Sequence, residues 1–126
     1  MIDKQEILGA VTEAISAYTA YQKAQEREQA VRSERPLNPN GERFPSLDEY
    51  LAARDTYDGW NRRLVEAHAA TSTAEAHYKR LVCEAGKYLA LSPGDLARFR
   101  MPDGQDVLIA CNDDRSHSLQ LFHGNK

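Results

Sequence analysis

From about Asp3 to Glu34, apolar side chains return every three or four residues: Ile7, Leu8, Val11, Ala14, Ile15, Tyr18 and Tyr21. That spacing predicts an amphipathic helix. Beyond Tyr21 the stripe fades, and in "QKAQEREQAVRSER" only Ala24, Ala30 and Val31 are apolar. Helix propensity stays high there, so the helix is expected to continue with a polar surface nearly all round. "RPLNPNGERFPS" then stops it, because Pro36, Pro39, Gly41 and Pro45 do not fit a helix interior. "SLDE" restarts one, with Ser46 and Glu49 spaced as a capping box.

The second helix carries a more regular seam. Tyr50, Ala53, Tyr57, Trp60, Leu64, Ala67, Thr71, Ala74, Tyr78, Leu81, Ala85 and Tyr88 alternate steps of three and four without a slip. A period of about 3.5 residues predicts coiled-coil-like packing. "TSTAE" is where the helix could break, at 71–73, but the phase passes through it, which favours one helix to about Leu91. After "SPGD" the period switches to two, and "LARFRM", "QDVLIAC" and "SHSLQLFH" read as strands. A turn at Pro102-Asp103-Gly104 sets Phe99 opposite Val107 and Ala97 opposite Ile109. A second turn around "NDDRS" sets Ile109 opposite Leu119 and Val107 opposite Leu121. Both hairpins then choose one apolar face, a consistency expected of a correct assignment.

The expected fold is α+β and predominantly α. A long antiparallel, coiled-coil-like helical hairpin occupies residues 1–91, with helices at about 3–34 and 47–91 and a bend at 35–46. A three-stranded antiparallel β-meander follows at 92–126. The meander is expected to pack on Ile2, Leu8, Leu81, Leu89 and Leu96.

A net charge of −3 gives no field for nucleic acid or a membrane surface. The locally basic stretch from Ala76 to Met101 reads as a solvated face. The longest apolar run, "VLIAC", is too short to span a bilayer, and "MIDKQEILGAV" lacks a signal-peptide core. Cys83 and Cys111 follow no disulfide framework, which points to free thiols in a reducing cytoplasm.

Candidate chemistry is sparse, and no cofactor or metal is expected. His68 and His77 fall on opposite helix faces. Cys111 and His117 share one end of a hairpin, but zinc takes four ligands, or three and water. His123, six residues further along a strand, lies about 20 Å away. No serine sits in a nucleophile elbow, and "SPGD" and "PDGQ" lack the lysine of a phosphate loop. Glu42, Asp48 and Glu49 crowd the bend. In architecture alone, such a tip resembles the factors that push an acidic-tipped coiled-coil hairpin into the secondary channel of RNA polymerase. That resemblance implies tip acids helping to hold a catalytic magnesium. No family motif matches residue by residue, and Asp48 and Glu49 already suit a helix N-terminus.

The stronger signal is a mismatch between the helices. The polar half of the first helix faces Leu47, Tyr50, Leu51, Tyr57, Trp60, Leu64 and Val65. Large aromatics bury about 150–250 Å² each, more than Gln, Arg and Glu stems cover well. Three coverings are open: a homodimer, which is preferred; Leu37 and Phe44 folded back from the bend; or a foreign protein. The expected role is non-catalytic, an adaptor or inhibitor. Its interface residues would be Phe44, Tyr50, Arg54, Tyr57, Trp60 and Leu64. The alternative is a regulator of a nucleic-acid enzyme working through the tip acids.

Overall fold

The protein, described here by a computed structural model for residues 3–122, is α+β and predominantly α: two long helices followed by a three-stranded antiparallel sheet. Helix α1 spans Lys4–Ser33 and α2 spans Leu47–Tyr88; strands β1 (Leu96–Arg100), β2 (Asp106–Cys111) and β3 (His117–Phe122) follow in the order β1-β2-β3. Asp3 starts α1, its carboxylate accepting from the Gln5 N–H at 3.3 Å. Ser46 starts α2, its hydroxyl accepting from the Glu49 N–H at 3.1 Å, the forward half of the expected box. The helix passes Thr71–Thr73 unbroken.

Helix α2 ends at Tyr88, short of the expected Leu91. The terminus is a Schellman motif: Leu91 N–H bonds the Gly86 carbonyl and Ala90 N–H the Lys87 carbonyl, with Ala90 left-handed at φ 58°. Glycine is usual at that position, so "YLALSPGD" hid the stop behind an alanine.

The chain divides into two compact units. One holds the residues up to Tyr21 together with the chain from Ala74 onward; the other is Gln22–Thr73. The first unit contains the sheet. Its registers are Ala97↔Ile109 and Phe99↔Val107, then Ile109↔Leu119 and Val107↔Leu121. Those pairings put Met101, Val107, Ile109 and Leu119 on one face, buried against Val11 and Ala14 of α1 and Val82 and Ala85 of α2. Leu8, Leu81 and Leu89 pack on this core as expected. Leu96 does not: it is 62% exposed, because strand alternation groups it with Arg98 and Arg100 on the outer face. Ile2 lies outside the described residues.

In the same unit, the Tyr78 ring stacks on Tyr21 and tilts against Tyr18, with centroids 5.5 and 4.9 Å apart. Burial is the first cause that raises both the Tyr21 and Tyr78 phenols above their ordinary value. The Gln22–Thr73 unit is a helical hairpin in its own right, and it carries every residue expected at the interface.

Candidate interaction surface

Within Gln22–Thr73 the polar half of α1 meets the aromatic half of α2 by a route other than apolar packing. Side chains of α2 donate to main-chain carbonyls of α1. The Trp60 indole N–H donates to the Val31 carbonyl at 2.7 Å, and the Thr71 hydroxyl shares its one proton between the Ala24 carbonyl at 3.1 Å and the Ala67 carbonyl of its own helix at 3.0 Å. Val31 lies in the last turn of α1, where its carbonyl accepts from the Glu34 N–H at 3.1 Å and keeps a second lone pair for the indole. Trp60 therefore serves as a side-chain cap on the neighbouring helix. The Arg35 guanidinium lies 5.9 Å from the centre of its ring, and Tyr57 tilts against it at 5.5 Å.

Glu28 supplies the third contact. It is a nearly buried charge, and its Oε2 accepts from Arg32 Nη2 at 2.6 Å and lies 3.2 Å from His68 Nδ1. The Arg32 guanidinium first, with Thr71 and His68 close by, holds its carboxyl at about 2, against an ordinary 4.5. A lowered folded value means the stabilisation is complete above the unfolded value and is lost as pH falls through the folded one. Glu28→Gln is therefore expected to flatten the loss of stability between pH 4.5 and about 2, read from urea midpoints across that range. An acid limb as steep as that of the wild type would contradict this role.

These contacts redraw the expected interface. Trp60, expected to await a partner, is only 5% exposed and is covered by its own chain. Phe44 does fold back, meeting Tyr50 edge-on at 5.6 Å, whereas Leu37 stays 65% exposed and does not cover the seam. Tyr50, Tyr57 and Leu64 are half-buried and Arg54 is exposed. Leu47, Leu51 and Val65 leave the seam altogether, at 70%, 48% and 62% exposed. Their helical phase shows why: Leu47 and Val65 are 18 residues, about five turns, apart, roughly 100° round from the Tyr57–Leu64 line. The phase was readable in the sequence; grouping by hydrophobicity alone concealed it. Glu28 was also readable, falling in step with Tyr21, Ala24 and Val31.

The tip acids Glu42, Asp48 and Glu49 are exposed, the last two in the first turn of α2 where they complement its dipole. Among the described residues no group of three His, Cys, Asp or Glu side chains is placed to hold a metal ion. Cys111 does pair with His117 in register, but the His117 ring packs onto Gly86, and neither ring nitrogen has a hydrogen-bond partner among the described residues. His123 lies outside them. In the basic stretch, Lys79 pairs with Glu75, Arg100 with Asp106, and Arg98 covers the Phe122 ring. A groove in the sheet-bearing unit is lined by Glu6, Glu13, Glu84, Lys87 and Tyr88, together with Gly9, Ala10 and Leu81. No described helix is long and apolar enough to cross a membrane.

No family model matches the chain, and no curated protein or solved structure matches it either.

Proposed function

We propose that the protein is a non-catalytic protein–protein interaction module, an adaptor or inhibitor, that associates with itself through its Gln22–Thr73 hairpin. One observation carries the reading: four large aliphatic side chains of this unit, Leu37, Leu47, Leu51 and Val65, stand 48–70% exposed while Trp60 is buried within the chain. Leu47 and Leu51 adjoin on one helix face, and Val65 lies on the same line about 21 Å further along, beyond Arg54, Asp58 and Asn61. Cys83 and Cys111, both free, fit a reducing cytoplasm.

Sedimentation velocity on the full chain over a concentration series tests the proposal. A reversible rise in sedimentation coefficient with concentration is expected. A chain that stays monomeric to hundreds of micromolar overturns the reading, since even weak specific association at about −5 kcal/mol would show there.

A further inference from the structure

The exposed face of α2 is self-complementary in a way that defines how two copies meet. Leu47 and Val65 lie equally far before and after Thr56 in the chain, and so do Arg54 and Asp58. Leu47, Leu51, Arg54, Asp58, Asn61 and Val65 all fall within about 40° of one line along the helix, with Tyr50 and Arg62 at its two margins. We propose that two copies pair α2 against α2, antiparallel, about a two-fold axis level with Thr56. This rests on the interaction reading above and names its partner as a second copy of this chain.

In that register Leu47 of one copy covers Val65 of the other, and Arg54 of each faces Asp58 of the other. Along one margin the aliphatic stem of Arg62 comes over Leu51, which keeps its guanidinium in water. Along the other margin Asn61 comes beside the Tyr50 ring. The charge order selects the direction, because a parallel pairing in register would set Arg54 on Arg54 and Asp58 on Asp58. Within one chain Arg54 and Asp58 approach only to 3.8 Å and remain 60% and 58% exposed. A pair that loose is free to exchange partners. The contact is isologous, so it closes at a dimer. About five turns of helix make a small interface, and the pairing is expected to be weak and reversible.

The test uses two full-length variants, Arg54→Glu and Asp58→Arg, with helicity checked by circular dichroism. Each alone places like charges across the axis and is expected to weaken self-association about tenfold or more. Mixed in equal amounts they are complementary at both crossings. The carboxylate introduced at position 54 then faces the guanidinium introduced at position 58, while the unchanged Asp58 of the first variant faces the unchanged Arg54 of the second. Sedimentation should recover a dimer at the wild-type concentration. Variants that associate as well as the wild type overturn this surface while leaving self-association standing. Variants that weaken singly but do not recover on mixing overturn the antiparallel register. A wild-type chain that is monomeric throughout overturns the reading beneath both.

Discussion

Trp60→Ala is expected to lower the unfolding free energy by about 3–5 kcal/mol, the usual cost of truncating a large buried ring. The loss has two parts. Removing the indole leaves a void beneath Tyr57 and Arg35, which both lie against the ring. It also removes the donor to the Val31 carbonyl at the end of α1. Trp60→Phe separates them, keeping most of the ring and losing the N–H, for a cost of about 1 kcal/mol. The smaller figure applies because the Val31 carbonyl still accepts from the Glu34 N–H at 3.1 Å. Chemical denaturation of the three proteins checks both values. Equal stability of the alanine variant and the wild type would mean that Trp60 caps nothing.

The second large effect lies in the sheet-bearing unit. Gly86→Ala is expected to destabilise by about 1–3 kcal/mol through overpacking. An added Cβ would stand 3.0 Å from His117 Cγ and closer still to Cδ2 and Nε2 of the same ring. His117 has little room to move, since it sits on β3 in register with buried Cys111. His117→Ala removes a ring whose two nitrogens are buried without partners among the described residues. That deletion should cost less than an apolar ring of equal size, because unpaired polar atoms are unfavourable in the interior. The double variant should therefore be more stable than Gly86→Ala alone, with a coupling of about 1–3 kcal/mol in a double-mutant cycle. Additive effects would show that glycine is there for another reason.

Much of the fold was legible because several local signals agreed. The period-two runs and the Pro102-Asp103-Gly104 turn specified a register that the sheet adopts from Ala97↔Ile109 to Val107↔Leu121. Ser46 marked the start of α2, and the uninterrupted seam carried the helix across Thr71–Thr73. The end of α2 was missed because Ala90 takes a left-handed conformation that its side chain does not advertise.

The site was harder to read. On a scale of apolar area alone, a polar α1 facing Tyr57 and Trp60 looks like a missing partner. Tryptophan and threonine also carry donors, and the Thr71 hydroxyl lies 3.1 Å from the Ala24 carbonyl across the seam. Trp60 closes its part of the seam by a bond to a main-chain carbonyl, which no side-chain pattern displays. With Trp60 satisfied, what remains open is the face 100° away. There Leu47, Arg54, Asp58 and Val65 spell a palindrome in chemistry rather than in letters.

Trp60 is the single tryptophan of the chain, so its fluorescence reports on this seam alone. Acrylamide quenching should be followed at concentrations above and below the association midpoint. If the indole is held by its own hairpin and copies meet elsewhere, Trp60 stays blue-shifted and equally protected in both. An indole that becomes open to quencher as the copies separate would place it in the interface and contradict the account.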